Sequence, residues 1–360
     1  MPSLSRSRAG VAPGVAWFAG HRATGVVEHA DLRVRPDALT TPGWWALVGE
    51  FEGRVDAWRF AHVQDDAGRA PGPWHGPARD TWRSSLDRDA YLAAVRRVRE
   101  HVREGVVYQA NLCRVLSAPL PRTDGREPDA RALAGRLLAG NPAPYAGGVH
   151  VPGGLDVPPA WVVTASPELF LRVQDGVVTS GPIKGTAATV DGLTSKDRAE
   201  NVMITDLVRN DLHRVCLPGT VRVTELLGTQ EHPGLVHLVS TVAGDLAPGV
   251  RDAPDALAQV LAATYPPGSV SGAPKSSALR VITDLEPVPR GPYCGLVGWA
   301  HVAADGGLTA ELAVGIRTFW WADEVLRFGT GAGITWGSDA AREWDETELK
   351  AARLVGLASR

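Results

Sequence analysis

Short apolar runs separated by polar turns dominate the first third of the chain. Aromatic and β-branched residues cluster at 43–48 and 55–60, and both runs are typical of strands. A third run, at 106–116, predicts another strand. Proline and glycine interrupt the pattern at 65–77 and again at 141–159, so we expect connecting loops there.

Apolar residues at helical spacing predict a helix in the same part of the chain. It begins after Asp87, a suitable N-cap, and ends at Gly105. Its apolar face consists of Tyr91, Val95, Val98 and Val102. Further helices are predicted at 195–214, 274–284 and 340–357.

Two tight turns in the second half of the chain are flanked by strand-like runs. The first is Asp175-Gly176, a dipeptide that strongly indicates a β-hairpin, and the second is Asp305-Gly306-Gly307. The flanking runs are 170–173, 177–180, 296–302 and 308–321. Strands joined by hairpins, with helices inserted between them, favour an α+β fold with antiparallel sheets over alternating βαβ units.

Composition and charge exclude several classes of protein. The chain has 360 residues, of which 44% are hydrophobic and 21% charged, and its net charge is −3 at pH 7. That length allows a large buried core and excludes a disordered chain or a small disulfide scaffold. A charge this close to neutral is not typical of proteins that bind nucleic acid or membrane surfaces, and no apolar run reaches the roughly 20 residues of a membrane span. We therefore expect neither nucleic acid nor a membrane as a partner.

Cysteine and lysine are both scarce, and each scarcity carries information. The three cysteines are far apart and form no CxxC pair, which favours a reduced, cytoplasmic compartment over a disulfide framework. Only four of the 37 basic residues are lysines: Lys184, Lys196, Lys275 and Lys350. In a chain that uses arginine almost everywhere, a retained lysine indicates a need for amine chemistry or a compact point charge.

Two predicted helices each present a pair of carboxylates on one face. Asp197 and Glu200 are three residues apart on the helix at 195–214, and Glu343 and Glu346 repeat that spacing on the last helix. Two such faces could enclose a hard divalent cation, since Mg²⁺ is held by a few carboxylates, water and an anionic substrate. Ordinary surface charge would give the same pattern, so spacing alone leaves both interpretations open.

Three glycine-rich segments, at 181–186, 267–275 and 329–333, are predicted to be turns whose backbone amides approach an anion. None of them matches the phosphate-binding P-loop, and Ile334 breaks the dinucleotide-binding fingerprint. Lys184, in the first segment, could be a nucleophile if its pKa is lowered, or an ordinary exposed loop lysine. The local chemistry thus indicates an anion-binding Mg²⁺ enzyme.

These segments, in this order, resemble the family of chorismate-utilising enzymes. The matching stretches are 166–170, 182–186, 197–211, 237–241, 268–275, 293–298, 316–318, 331–333 and 345–347. The resemblance spans about 91–357, and many separated motifs in register make it more specific than any single glycine turn. It implies a two-sheet antiparallel sandwich with helices outside. It also implies a chorismate-binding catalytic domain at 86–358, preceded by a short N-terminal region at 1–85 that is integrated into the fold.

The resemblance also implies a magnesium site and a set of substrate contacts. Glu200 and Glu346 match direct Mg²⁺ ligands, with Asp197 and Glu343 supporting the ion through water. The ion would hold the ring carboxylate of chorismate. Residues that match positions contacting the substrate are Ser269, Tyr293, Arg317, Gly331, Gly333 and Lys350. Glu168 matches a general acid, and His237 lines the site of the ring.

Two positions bear on which reaction of the family is expected. Isochorismate and salicylate synthases, which activate water, carry a lysine base where this chain has Gln109. Anthranilate synthases usually have alanine where this chain has Lys184. In aminodeoxychorismate synthases that lysine attacks C2 of chorismate as the C4 hydroxyl leaves, and ammonia then attacks C4. The resemblance is therefore strongest to component I of aminodeoxychorismate synthase.

This expectation includes a partner and leaves alternatives open. Ammonia would come from a separate glutamine amidotransferase subunit, since no glutaminase pattern is evident in the chain. One alternative is component I of anthranilate synthase, which aminates C2 and eliminates pyruvate. Another is a non-catalytic paralogue that binds chorismate and acts as a regulator. The retained charges at Glu168, Lys184, Glu200, Glu343 and Glu346 argue against that last alternative.

Overall fold

The computed structural model describes residues 12–66, 72–187, 189–232 and 235–360. Over these residues the chain forms 18 strands and seven α-helices. The strands are β1 (Ala12–Phe18), β2 (His21–Asp31), β3 (Gly43–Gly49), β4 (Val55–Asp65), β5 (Arg83–Ser84), β6 (Gln109–Pro119), β7 (Tyr145–Val151), β8 (Ala160–Ser166), β9 (Leu169–Gln174), β10 (Val177–Gly181), β11 (Ile183–Ala187), β12 (Arg222–His232), β13 (Leu235–Asp245), β14 (Gly272–Ala273), β15 (Leu296–Val302), β16 (Leu308–Val314), β17 (Thr318–Ala322) and β18 (Val325–Ile334). The helices are α1 (Arg88–Arg103), α2 (Ala130–Gly140), α3 (Ser195–His213), α4 (Pro248–Arg251), α5 (Ala256–Thr264), α6 (Lys275–Leu285) and α7 (Ala340–Ala358).

The strand pairs in the described part of the chain are antiparallel, and they form one continuous ladder. Its order is β6, β18, β17, β8, β7, β1, β2, β4, β3, β15, β16, β9, β10 and β13. The ladder folds over at β1 and β2, so that apolar side chains of β7 and β8 pack against those of β3 and β4 in a shared core. The predicted two-layer antiparallel sandwich is confirmed, with the two layers joined as a single folded sheet.

The helices lie on the outer faces of this sandwich. Apolar residues of α3 and α5 pack on the layer that contains β9 and β16. On the other layer, α2 and α7 cover β8, β17 and β18, and α1 and α6 cover β6. None of the helices in the described residues has the length and hydropathy that a membrane span requires.

Local signals in the sequence correctly located several elements. The side chain of Asp87 accepts a hydrogen bond from the Ala90 amide at 2.9 Å and so caps α1. Asp175 and Gly176 both have positive φ, 52° and 75°, as a tight hairpin turn between β9 and β10 requires. The helices predicted at 195–214 and 340–357 correspond to α3 and α7 within two residues.

The loop predicted at 141–159 is wrong over part of its length, because it contains strand β7. The glycines that suggested a loop leave space for aromatic rings of β1. A Cβ on Gly147 would lie 2.1 Å from Cδ1 of Phe18, and one on Gly148 would lie 2.4 Å from the Trp17 ring. Close approach of the β1 side chains, rather than chain reversal, explains the missing Cβ atoms.

Three further predictions about strands and turns need correction. The single strand predicted at 308–321 is two strands, β16 and β17, separated at 315–317, where Arg317 has a φ of 51°. The glycine-rich turn predicted at 329–333 lies inside strand β18. The segment 181–186 likewise belongs mainly to β10 and β11 rather than to an open turn. The backbone amides of these segments are therefore largely within the sheet.

The N-terminal strands occupy the middle of the ladder. Strand β1 pairs with β7, and strand β3 pairs with β15 over its whole length. Residues 1–11 of the region predicted as N-terminal lie outside the described residues, as do 67–71. The boundary at 85 between an N-terminal region and a catalytic domain stays a prediction.

Candidate active site

Lys184 lies on a strand at a point where the pairing register shifts. Strand β11 pairs with β13, with Ile183 opposite Val239 and Thr186 opposite His237, and the register changes between these pairs. Gly185 has a φ of 89°, a conformation that favours glycine. A shift of this kind bends a strand and redirects a side chain. Lys184, partly buried, lies in the stretch between the two pairs where the register shifts.

Glu168 is a buried carboxyl next to Lys184. It lies between β8 and β9, only 3% exposed, and its Oε1 is 3.4 Å from the Ile183 amide. Burial raises its pKa to about 7, although a hydrogen bond from Ser269 and the charge of Lys184 oppose that shift. A carboxyl with such a pKa is partly protonated near neutral pH and can serve as a general acid.

The first turn of α3 packs against the strand that carries Lys184. A Cβ on Gly185 would lie 2.8 Å from Cβ of Asp197, so the helix approaches β11 where no side chain intervenes. The Asp197 carboxylate accepts hydrogen bonds from the amide and hydroxyl of Thr194, at 2.8 and 2.6 Å, in a capping box. Glu200 lies three residues later on α3, and Lys196 Nζ is 3.6 Å from its Oε1.

The carboxylates of α7 form the opposite side of the site. Glu343 is buried and hydrogen-bonds Ser338, and its pKa is raised by burial and by the charge of Glu346. Glu346 forms an ion pair with Lys350 at 2.6 Å. Lys350 Nζ also donates to the carbonyl oxygen of Gly331 on β18, at 3.2 Å.

The charges around Lys184 show that these elements meet. Burial lowers the pKa of the Lys184 amine, while the carboxylates of Glu200, Glu168 and Glu346 favour its ammonium form. These three carboxylates come from α3, from the segment before β9 and from α7. A lysine with a lowered pKa carries a larger fraction of neutral amine, which is the nucleophilic form.

His237 and Arg317 form a second part of the site. Nη2 of Arg317 lies 3.5 Å from Nε2 of His237, which is buried on β13 opposite Thr186. Burial, and then the charge of Arg353, lower the pKa of the Arg317 guanidinium. The positive φ of Arg317, at the break between β16 and β17, sets the direction of its side chain.

The predicted contacts on β18 lie against buried side chains. A Cβ on Gly331 would lie 2.5 Å from Cys113 Sγ, and Cys113 Sγ is 3.9 Å from the Tyr293 hydroxyl. Tyr293 itself lies under β18, since a Cβ on Gly329 would be 2.0 Å from its ring. Glycine is therefore required here for close packing of β18 on its neighbours.

Gln109, noted above as the position of a lysine base in water-activating members of the family, is a polar residue of this region whose burial the sequence did not reveal. Both polar atoms of its side chain are buried and lack a hydrogen-bond partner among the described residues. A Cβ on Gly333 would lie 2.2 Å from its Nε2. A buried amide without partners is a candidate contact for a ligand. No spacing signal marks it, because its burial depends on strand pairing.

The structure thus brings together most of the predicted site residues. Charges connect Lys184 with Glu168, Glu200, Glu346 and Lys350. Ser269 contacts Glu168, Glu343 is near Glu346, and His237 is near Arg317. Gly333 on β18 pairs with Asn111 on β6. Asn111 Nδ2 in turn donates a hydrogen bond to the Ser269 carbonyl oxygen at 3.0 Å. Asp197 is engaged in its helix cap, and the Tyr293 hydroxyl is buried beside Cys113.

The carboxylates suit Mg²⁺ by their chemistry, since it prefers hard oxygen ligands. However, no three His, Cys, Asp or Glu side chains within the described ranges converge to hold a metal ion. Glu200 and Glu346 are instead paired with Lys196 and Lys350. The donor atoms fit the ion, and each of the two expected direct ligands is held by an ammonium group. Sequence reasoning missed the role of Lys196, although its i,i+4 spacing from Glu200 was visible.

Comparison with known proteins identifies the family of the chain. The model of a family described as chorismate binding enzyme matches residues 61–356. The anthranilate synthase component 1 of Saccharolobus solfataricus is 38% identical over 278 residues, covering 74% of this chain and 61% of that protein. The aminodeoxychorismate synthase component 1 of Klebsiella aerogenes is 31% identical over 344 residues, covering 91% of this chain and 71% of that protein.

A solved structure supports the fold. The anthranilate synthase component I of Streptococcus pneumoniae superposes with a TM-score of 0.73 at 24% identity, covering 99% of this chain and 94% of that one. Among the curated relatives, the chain spans 61%, 52% and 64% of the length of three anthranilate synthase components, from Saccharolobus solfataricus, Streptomyces coelicolor and Thermus thermophilus.

Proposed function

Because the chain belongs to the family of chorismate-binding enzymes, we propose that it aminates chorismate at C4 to give 4-amino-4-deoxychorismate, as component I of an aminodeoxychorismate synthase. The observation that carries this proposal is Lys184, an amine of lowered pKa beside the buried carboxyl of Glu168. The relatives are named as component 1 of their enzymes. In line with that, the proposed ammonia source is a separate glutamine amidotransferase subunit.

Lys184 acts as the covalent nucleophile in this proposal. Its Nζ forms a bond to C2 of chorismate while the ring double bonds shift and the C4–oxygen bond breaks. Protonated Glu168 gives its proton to the leaving hydroxyl, which departs as water. Ammonia then forms the C4–nitrogen bond as the C2–Nζ bond breaks and the Lys184 amine is released. The new C4 ammonium group loses a proton, which restores protonated Glu168. Overall, chorismate and ammonia give 4-amino-4-deoxychorismate and water, with no oxidation or reduction.

Carboxylates on α3 and α7 are proposed to hold Mg²⁺. Glu200 and Glu346 would be its direct ligands, with Glu343 and Asp197 supporting it through water. The ion, when bound, neutralises the ring carboxylate of chorismate. This role agrees with the acidic donor set, and it requires Glu200 and Glu346 to leave their lysine partners.

The remaining predicted residues are proposed to position the substrate. Arg317 provides a guanidinium fork for a substrate carboxylate, with His237 beside it lining the ring site. Ser269 adjusts the acidity of Glu168 and lies where the substrate is expected. The other proposed substrate contacts are Tyr293, Gly331, Gly333 and Lys350.

Amination at C2 with loss of pyruvate, as in anthranilate synthase, is the second candidate. It is favoured by sequence identity, which is 38% to an anthranilate synthase component against 31% to an aminodeoxychorismate synthase component. The presence of Lys184 favours amination at C4, because amination at C2 has no evident use for a nucleophilic lysine at this position.

A product assay separates the two candidates. The purified chain is incubated with chorismate, Mg²⁺ and an excess of an ammonium salt near neutral pH, and products are identified by mass spectrometry while free pyruvate is measured. We expect an aminated product that retains its enolpyruvyl group, with no pyruvate. Anthranilate with equimolar pyruvate would support the second candidate, and no consumption of chorismate would favour a non-catalytic role.

Two variants of Lys184 test its covalent role. Lys184→Ala removes the amine, and Lys184→Arg keeps the positive charge but removes the nucleophile. We expect both to lose formation of 4-amino-4-deoxychorismate. Activity retained in Lys184→Arg would mean that only the charge is needed.

A further inference from the structure

Each carboxylate proposed as a direct metal ligand is paired with a lysine on its own helix. On α3, Lys196 Nζ lies 3.6 Å from Glu200 Oε1, and on α7, Lys350 Nζ lies 2.6 Å from Glu346 Oε1. In both pairs the lysine is four residues after or before its partner, and both lysine side chains are about half exposed, at 53% and 51%. The same kind of ion pair therefore occurs twice, once on each of the two helices.

Both pairs belong to a single cluster of charges. Glu343 is buried, and the charges of both Lys196 and Lys350 act on its carboxylate. Lys184, in turn, experiences the charges of Glu200, Glu346 and Lys350. Three of the four lysines of the chain thus surround one group of carboxylates.

The use of lysine at these positions is unusual for this chain. Two other exposed ion pairs at i,i+3 spacing are made by arginine, Arg97 with Glu100 on α1 and Arg209 with Asp206 farther along α3. Arginine can hold a carboxylate with two parallel hydrogen bonds, whereas lysine offers one compact charge on a flexible stem. A lysine partner is therefore easier for a cation to displace.

We propose that Lys196 and Lys350 are tethers that hold Glu200 and Glu346 in the metal-free protein, and that a divalent cation binds by displacing both ammonium groups. The inference rests on the proposed function, in which these two glutamates are the metal ligands. Tethered carboxylates are not available to the ion, so the apparent metal affinity is reduced by the fraction of molecules in which the pairs are closed. The two lysines thereby set how much metal the protein needs.

Calorimetric titration of the full chain with Mg²⁺ alone, without chorismate, tests the proposal. Partly exposed ion pairs of this kind are modest, so Lys196→Gln and Lys350→Gln should each tighten Mg²⁺ binding by about two- to fivefold. The double variant should bind Mg²⁺ more tightly than either single variant, because both carboxylates are then released for the same ion. Lys350→Arg, which keeps the charge and can hold Glu346 more firmly, should not tighten binding.

Matched controls separate tethering from the loss of a positive charge. Arg198 and Arg342 lie two and four residues before Glu200 and Glu346 on the same helices, and neither has an ion pair among the described residues. Arg198→Gln and Arg342→Gln should change Mg²⁺ affinity by less than the lysine variants. If the arginine and lysine variants change Mg²⁺ affinity equally, the effect is a general loss of positive charge and the tether proposal is wrong.

The outcomes also distinguish this inference from the proposed function. If Glu346→Gln abolishes Mg²⁺ binding but the lysine variants match wild type, the tethers alone are wrong. If Glu346→Gln leaves binding unchanged, the metal assignment is wrong and the tethers with it. Absence of binding in every variant, including the double one, would also overturn the proposal, because released carboxylates would still not take the ion. This titration contains no chorismate, so its result does not depend on whether the chain forms 4-amino-4-deoxychorismate or anthranilate.

Discussion

Lys184 owes its position to the backbone around it as much as to its own chemistry. Lys184 lies where the pairing register of β11 shifts, next to Gly185 with its positive φ, so the regular alternation of the strand is interrupted at the lysine. Absence of a Cβ at Gly185 allows α3 to approach, which brings the carboxylate of Glu200 within range of the amine. Burial then lowers the pKa of the amine in spite of the surrounding negative charge.

The acidity of Glu168 predicts how activity depends on pH. The proposed general acid must be protonated, and its pKa is about 7, so kcat/KM should fall as pH rises through that value. The hydrogen bond from Ser269 stabilises the carboxylate form and lowers this pKa. Ser269→Ala removes that stabilisation, so the pKa should rise and the falling limb should move to higher pH by about one unit.

A neighbouring serine provides the control for this pH profile. Ser271 is equally buried in the same segment, but its hydroxyl donates to the carbonyl oxygens of Pro267 and Gly268. Ser271→Ala should leave the falling limb in place, whatever it does to stability. If the falling limb of the kcat/KM profile stays at the same pH in Ser269→Ala, Glu168 is not the group whose titration causes it.

At the scale of single elements, the first turn of α3 combines a structural and a chemical function. Thr194 and Asp197 cap the helix reciprocally, and Glu200 lies one turn farther on. Thr194→Ala should lower the free energy of unfolding by about 1 kcal/mol, because the cap loses its partner. Asp197→Asn keeps an amide oxygen that can accept the same hydrogen bonds, so it should cost less stability. If Asp197 also supports the metal, only Asp197→Asn should raise the Mg²⁺ concentration needed for activity.

An N-cap distant from the site shows what capping alone contributes. Asp87 caps α1 through the Ala90 amide, and Asp87→Ala should match Thr194→Ala in its loss of stability without changing the Mg²⁺ requirement. Denaturation curves and activity at graded Mg²⁺ provide both readouts. Equal Mg²⁺ requirements in Asp197→Asn and Thr194→Ala would mean that Asp197 acts only as a cap.

Elements fixed by local signals were predictable, and those fixed by tertiary contact were not. Caps, periodicity and the Asp175-Gly176 turn located α1, α3 and the β9–β10 hairpin. Strand β7 and the glycines of β18 were misinterpreted, since their glycines make room for Trp17, Phe18 and Tyr293, which are distant in sequence. Local patterns carry no information about such neighbours.

The candidate site divides in the same way. Spacing on one helix made the pairs Asp197 with Glu200 and Glu343 with Glu346 visible, and family motifs identified Lys184. The buried amide of Gln109 and the approach of Arg317 to His237 depend on which strands are neighbours. The capping role of Asp197 was also hidden, because an acidic residue in a first turn fits a cap and a metal site equally well.

At the scale of the whole molecule, the N-terminal strands connect the two layers. Strands β1 to β4 stand in the ladder between β7 on one side and β15 on the other. Trp44 of β3 stacks on Trp299 of β15, with ring centroids 6.3 Å apart and planes within 5° of parallel. Neither layer can keep its apolar face covered if these strands detach.

We therefore expect the N-terminal strands and the rest of the chain to unfold together. In urea, far-UV circular dichroism and tryptophan fluorescence should give coincident transitions, because the buried core between the layers is shared. Trp44→Leu removes the stacked ring and should shift both probes to lower urea by the same amount, without splitting the transition. A variant in the cluster formed by α1 and β6, such as Val95→Ala, should shift both probes in the same way. Two separate transitions would instead show that the region up to residue 85 is an independent unit, and the single folded sheet would then not govern the stability of the protein.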